Sequence, residues 1–385
     1  MPSPRETRAS LVAILSACIA FSVGMGLTLP LLSLILERRG VPGSINGLNL
    51  ATAGLAAIVV TPFVPRMLKR FGTAQYLALC LAVAAAAMIT LYEVPNLWLW
   101  FPVRFVLSTA LNSLFVVSEF WINQLADERN RGRYIAIYAT CIASGFGAGP
   151  ALVSFIGTEG IMPFLCGAGL MLCALVPVLA ARHAAPAADH GKAAPFAAML
   201  RLAPDVFSAA FVYGAIDAGL TGLLAVYAVR NGYSEKHAVL VVTAVGVGSL
   251  LFQYPLGHLA DRFDRRLLLT GCAIAGLAGA VLAPFAVAFP TAFYLLALFW
   301  GGIVLGIYTL GLTVLGERFR GPDLARANAG YVMSYAAGLL IGPAVEGVAL
   351  DAWNPNGLMA ALAAIIAAYL VFLMASRQRA ARIVS

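Results

Sequence analysis

Long apolar runs alternate with short polar breaks along the whole chain. Twelve of the runs reach the roughly 20 residues that an α-helix needs to cross the hydrocarbon core of a bilayer. They are read at 11–36, 44–64, 73–91, 97–125, 134–155, 161–181, 206–229, 237–260, 267–288, 291–315, 327–350 and 357–375. Sustained apolar–polar alternation is absent, which argues against a membrane β-barrel. Ser44 is placed to cap the second run. One hydrophilic break is long: 182–202, rich in Ala, Pro, His and Lys, reads as a flexible linker between a half at 1–181 and a half at 203–385.

Composition agrees with the pattern. The chain is 61% hydrophobic and 11% charged, whereas soluble domains carry about 25% charged residues. Lipid is therefore its solvent, and the fold class is an all-α membrane protein of twelve transmembrane helices in two six-helix halves. The net charge of +8 does not mark a nucleic-acid surface, because the basic residues sit in alternate breaks. Of 25 Lys and Arg, 20 fall in the N-tail, the even-to-odd loops, the linker and the C-tail. Arg38, Arg39, Arg230 and Lys236 fall on the opposite side, and Arg104 lies inside a run. The positive-inside rule then puts both termini in the cytoplasm of a multi-pass inner (plasma) membrane protein. All six cysteines fall inside apolar runs without metal-ligand spacing and read as small packing residues. The first run is too long for a signal peptide and reads as the first span.

The halves repeat. Arg133, Tyr138, Gly145, Gly149 and Pro150 are matched 193 residues later by Arg326, Tyr331, Gly338, Gly342 and Pro343. The break Gly257-His258-Leu259-Ala260-Asp261-Arg262-Phe263-Asp264-Arg265-Arg266 reads as a tight charged hairpin between two membrane helices, with Gly257 allowing close helix approach. Its pattern resembles the signature loop of the major facilitator superfamily. The corresponding first-half loop, Pro65 to Gly72, keeps the basic residues but has Lys69 where the signature has Asp.

Gly145, Gly149 and Pro150 resemble the fifth-span motif of that superfamily's drug/proton antiporters, although Val153 and Ser154 stand where its later glycines fall. Val117-Ser118-Glu119, Asn130-Arg131-Gly132-Arg133 and Gln253 to Asp261 narrow the resemblance to the YcaD-like branch. The resemblance implies parallel six-helix halves with a cavity lined by the first, fourth, seventh and tenth spans. The third, sixth, ninth and twelfth, without internal charge, are expected to face lipid.

The candidate chemistry lies on those lining spans. Arg104, Ser108, Asn112, Glu119 and Asn123 fall within an arc of about 100° on the fourth span. A charge at the centre of a membrane helix costs about 2.5–3.5 kcal/mol even on lenient scales, so this side is expected to face water or partners. Arg104 and Glu119 are about 22 Å apart along the helix and do not pair. Each either snorkels to its nearer interface or acts in proton coupling; Arg104 resembles the superfamily's fourth-span arginine.

Asp217, deep in the seventh span with Tyr213 and Thr221 one turn to either side, is the other proton-coupling candidate. Ser108, Asn112, Tyr213, Thr221, Trp300 and Tyr308 are the candidate substrate-cavity residues. Gating candidates are Asp261, Arg262, Arg265, Arg133, Arg318, Gly145, Gly149, Pro150 and Glu346, with Asp261 expected to hold Arg318 or Arg320 in one conformational state. Motifs for catalysis, metal binding or phosphate cradling are not found, so neither an enzyme nor a cofactor is expected. The expected function is secondary transport: proton-coupled export of small organic molecules, with proton-linked uptake of a metabolite, or a non-transporting membrane sensor, as the alternatives. Its expected partners are a small-molecule substrate, protons and membrane lipids, without nucleic acid, and the chain is expected to act as a monomer.

Overall fold

The computed structural model describes residues 4–126, 130–186 and 203–384. Most of the expected linker (187–202) and Asp127 to Arg129 in the loop before the fifth helix lie outside these. The described residues form twelve helices long and apolar enough to span a membrane. They are α1 (Pro4–Arg38), α2 (Gly43–Phe71), α3 (Thr73–Glu93), α4 (Leu97–Leu125), α5 (Arg131–Ile156) and α6 (Met162–Ala180), then α7 (Pro204–Arg230), α8 (Glu235–Arg262), α9 (Arg265–Ala286), α10 (Pro290–Arg318), α11 (Gly321–Ala352) and α12 (Gly357–Val384).

The helices outrun the apolar runs. Basic and acidic residues that end a hydropathic stretch still favour the helix, and Lys and Arg complement the carbonyl end of its dipole. Thus Pro65 to Phe71, expected as a loop, continues α2 after a 3₁₀ turn at Thr61–Phe63 and carries Lys69 and Arg70 in its last turn. The charged break after Gly257 shrinks to Phe263 and Asp264, and Asp264 caps α9 by accepting from Leu267 N at 2.8 Å. Gly257 meets no described atom within 4 Å on its side-chain face, so the close approach expected there is not seen.

By internal contacts the chain divides into two compact units, Met1–Leu31 with Leu55–Lys192 and Leu32–Gly54 with Ala193–Ser385. In the first unit α1 packs on α5 through small residues: Cys18 Sγ lies 3.8 Å from Tyr138 O, and Ser22 faces Gly145. A methyl group on Gly149 would lie 2.6 Å from Leu27 N, so only glycine fits this seam. Tyr76 and Ser113 hydroxyls, 3.0 Å apart, tie α3 to α4. Exposed Leu165, Leu172, Val176 and Leu179 give α6 an apolar outer face suited to acyl chains.

In the second unit α7 meets α11 in the same way. Gly342 lies against Ala215, where an added methyl would stand 2.6 Å from the carbonyl oxygen, and Ser334 Oγ donates to Phe207 O at 2.8 Å. Buried Val206, Phe207, Ala210, Val314, Leu315, Ala327 and Tyr331 form the core joining α7, α10 and α11. The repeat is visible in hydrogen bonding. Tyr138 OH donates to Phe115 O at 3.4 Å, and Tyr331 OH donates to Tyr308 O at 2.7 Å, each bond linking positions 23 apart.

The second unit also takes in the Arg38 end of α1 and the first turns of α2. Gly47 lies so close to Pro343 of α11 that a methyl would overlap that carbonyl, and Gly347 Cα would be 3.1 Å from it. Asp351 Oδ1 and Oδ2 accept from Gly43 N (2.6 Å) and Ser44 N (2.8 Å), so an acid from α11 caps α2 in the role expected of Ser44. Beside this seam Arg230 donates to both Glu37 oxygens (2.8 and 2.9 Å), and Arg38 pairs with Glu235.

Candidate functional site

Asp217 sits in α7 two residues before the helix is interrupted. The turn Gly219–Leu223 is π-helical, with Leu224 N donating to Gly219 O rather than to the residue four back. Such turns widen a helix and recur at functional positions. Asp217 Oδ2 accepts from Tyr335 OH of α11 at 2.8 Å, and Oδ1 lies 3.5 Å from Tyr213 OH, a long bond at best. Thr221 Oγ1 donates to Asp217 O at 2.6 Å, so its hydroxyl is turned back along its own helix.

Two tyrosines, Tyr335 and Tyr213, reach the acid, and Tyr308 and Tyr331 extend the ring cluster away from it. Tyr213 stacks on Tyr335 (centroids 5.8 Å, planes at 22°) and tilts against Tyr308 at 5.4 Å. Tyr308 meets Tyr331 at 5.0 Å and Tyr335 edge-on at 5.6 Å. Aromatic pairs at such spacings add stability beyond the area they bury, and their phenols find partners when buried. The arrangement presents a carboxyl group with adjacent O–H donors, able to exchange a proton, beside π faces that favour flat or cationic organic groups.

In the first unit, Arg104 and Ser108 of α4 are buried, at 3% and 6% exposure. Asn112 Nδ2 donates to Thr61 Oγ1 at 3.0 Å, engaging the 3₁₀ turn of α2. Glu119 is half-buried, and Asn123 Nδ2 donates to its main-chain oxygen at 2.8 Å. Phe115 occupies the repeat position of Tyr308 and packs against Phe21 at 5.2 Å. The first unit therefore has an apolar phenyl pair where the second has hydroxylated rings.

Of the sequence candidates, Tyr213, Asp217, Thr221 and Tyr308 come together. Trp300 does not join them: it is buried against α9, donating Nε1–H to Gly276 O at 2.9 Å, and its bulk is accommodated by Gly279. Asp261 and Arg262 are exposed at the end of α8, and Arg133 is exposed in the first turn of α5. Arg265 donates to Ala260 O at 3.2 Å and pairs with Glu317. Arg318, expected to meet Asp261, instead donates to Asp205 of α7, with Nη1 at 2.7 Å from Oδ1. Glu346 is fully buried in α11. Tyr335, Asp205 and Glu317, the partners of Asp217, Arg318 and Arg265, are contacts that sequence reasoning missed. Tyr331 and Tyr335, one helical turn apart, were the available signal for the first of these.

Twelve apolar helices, arranged as two copies of one packing scheme and carrying an acid at mid-helix, define a polytopic membrane protein of the transporter class. The family model of the Major Facilitator Superfamily matches residues 12–239 and 206–383, and the chain belongs to that superfamily. It is 26% identical over 350 residues to the MFS-type transporter YfkF of Bacillus subtilis (strain 168), covering 88% of this chain and 87% of that one. The MFS-type transporter YcaD of Escherichia coli (strain SE11) is 26% identical over 327 residues, covering 84% and 83%. Among solved structures, the nucleoside transporter NupG superposes with a TM-score of 0.70 at 17% identity, covering 97% of this chain and 98% of that one. The D-xylose–proton symporter does so with a TM-score of 0.71 at 16% identity, covering 95% and 96%. The protein is a membrane transporter rather than an enzyme.

Proposed function

We propose that this transporter exports small organic molecules in exchange for protons, by alternating access, as a monomer in the plasma membrane with both termini in the cytoplasm. The observation that carries this reading is Asp217: a carboxyl group inside a membrane helix, held by Tyr335 and flanked by a widened turn. An acid at such depth is costly and is kept where it moves ions or contacts cargo. Asp217 and Glu119 carry protons, and Arg104 sets the field on α4. Ser108, Asn112, Tyr213, Thr221 and Tyr308 line the substrate path, with Tyr335 added.

Export is supported by the close-packed Gly145, Gly149 and Pro150 stretch of α5, which resembles the antiporter motif. Asp261, Arg262, Arg265, Arg133 and Arg318 form changing ion pairs at the helix ends, the Arg318–Asp205 pair belonging to one state. Glu346 acts in gating, as does the α5 seam. Proton-linked uptake is the second reading. It is favoured by the fold shared with a D-xylose–proton symporter, and it uses the same residues.

The test begins with a thermal-shift screen of the purified protein against organic compounds. Flux of a stabilising compound is then measured in liposomes with an imposed pH gradient. The compound should move against the proton gradient; movement with it would replace export by uptake. Glu119→Gln should abolish gradient-driven flux while leaving binding intact, and full coupled flux by that variant would refute the role of Glu119.

A further inference from the structure

Glu346 is fully buried, yet among the described residues neither of its carboxylate oxygens has a hydrogen-bond partner. Neighbouring acids of the second unit have partners: Asp217 has Tyr335, and the exposed Asp351 has two main-chain amides. A buried carboxyl without donors gains nothing from its charged form, and without an acceptor nothing from its protonated form. Folding alone therefore gives no reason to keep an acid at this position.

Its surroundings are specific. The carboxyl group lies on Gly219, where an added methyl would stand 2.5 Å from Oε2 and 2.8 Å from Oε1, so the glycine makes the niche. Gly219 opens the π-turn of α7 and lies two residues beyond Asp217. The α11 residue that holds Asp217, Tyr335, is eleven positions before Glu346, about three helical turns. Helix α11 packs against α7, α10, α12 and the first turns of α2. These bring Asp205, Tyr213, Asp217, Tyr227 and Arg230 of α7, Tyr294, Tyr308, Glu317 and Arg318 of α10, and Tyr369 of α12, Arg230 being already paired with Glu37. Gly43–Gly54 of α2 carries no ionisable side chain, and α11 itself adds Asp323, Arg326, Tyr331, Tyr335 and Asp351. Of these, Asp217 is the acid set beside the niche, two residues before the Gly219 against which the Glu346 carboxyl rests.

We propose that Glu346 is a second proton-binding carboxyl of this unit, coupled to Asp217 across the π-turn, so that the two acids hold one exchangeable negative charge between them. The proton leaves the Glu346 carboxyl for the Asp217 carboxylate or for water entering at the widened turn, and no other bond changes. Coupled acids titrate as a pair. This extends the proton-coupled reading above and rests on it for the direction of proton movement, though not for proton binding itself.

The test is infrared spectroscopy of the full chain in liposomes, titrated from acid to alkaline pH in H₂O and D₂O. The wild type should show a protonated-carboxyl C=O band that moves in D₂O and fades as pH rises. Glu346→Gln should remove that component, whereas Glu119→Gln should retain it. Asp217→Asn should move its midpoint by about one pH unit or more. Gly219→Ala, which fills the niche, should shift the band frequency and reports on the site even if Glu346→Gln fails to fold.

A Glu346→Gln spectrum identical to wild type would overturn the proposal, as would a Glu346 band that does not titrate. A band that responds to replacing choline by sodium at fixed pH would overturn it in favour of a metal-cation site. A titrating Glu346 band in a protein whose flux ignores pH gradients would refute the transport reading and leave this site standing.

Discussion

Glycine-to-alanine substitutions at Gly342 and Gly271 should change stability in opposite directions. In a helix interior the exchange is worth about 0.8–1.0 kcal/mol in favour of alanine. Gly271 of α9 is exposed, and a methyl there would meet no described atom within 4 Å, so Gly271→Ala keeps whatever part of that gain survives in a membrane. At Gly342 the methyl would stand 2.6 Å from Ala215 O and 2.8 Å from its carbonyl carbon. These are backbone atoms that no rotamer change can move. An ordinary contact begins near 3.4 Å, so α7 and α11 must separate by most of an ångström along the seam.

Overpacking of this kind costs about 1–3 kcal/mol, which offsets or exceeds the propensity gain and leaves Gly342→Ala net destabilised by up to about 2 kcal/mol. The assay is thermal unfolding of purified protein in one detergent, followed by tryptophan fluorescence. A lower midpoint for Gly342→Ala and an equal or higher one for Gly271→Ala are expected. If both variants shift together, the contact argument for the seam fails.

Other outcomes follow from single contacts. Tyr138→Phe and Tyr331→Phe each remove one hydroxyl bond to a main-chain carbonyl and should each cost about 1 kcal/mol in the same unfolding assay. Arg230→Gln removes a two-pronged contact with Glu37 at about 1–2 kcal/mol; high salt should narrow its difference from wild type, and a salt-independent gap would argue against an ionic origin. Tyr335→Phe should alter the pH profile of transport with little loss of protein yield, whereas an unchanged profile would separate Tyr335 from Asp217. In intact cells, a cysteine replacing Asn231 should react with a membrane-impermeant maleimide and one replacing Arg66 should not; the reverse pattern would invert the assigned topology.

The spans were legible because each is a long apolar run, and the repeat because its glycines and tyrosines recur at one spacing. Asp217 was legible as a charge too deep to snorkel, and Tyr213 and Thr221 as its neighbours on one helical face. Tyr335 was not, since its meeting with Asp217 depends on how α11 is rotated against α7. The π-turn at Gly219–Leu223 has no proline or charge to announce it. Trp300 looked like cavity surface because hydropathy cannot tell which neighbour a buried indole faces. Asp261 was expected to hold Arg318 or Arg320 in one conformational state; in this structure Arg318 meets Asp205 at the start of α7. Loop ends were misplaced where charged but helix-favouring residues, such as Arg66, Lys69 and Arg70, carry a helix past its apolar stretch.

The meeting of α2 and α11 at Gly47, Pro343 and Gly347 is main chain resting on main chain. Such flat surfaces have no knobs to withdraw from sockets, so they part without any side chain leaving its rotamer well. What latches the joint is then the polar fringe: Asp351 on the Gly43 and Ser44 amides, with Glu37–Arg230 and Arg38–Glu235 alongside. Its strength should be tunable by solution ions, since the clasp is electrostatic while the faces beneath it are smooth.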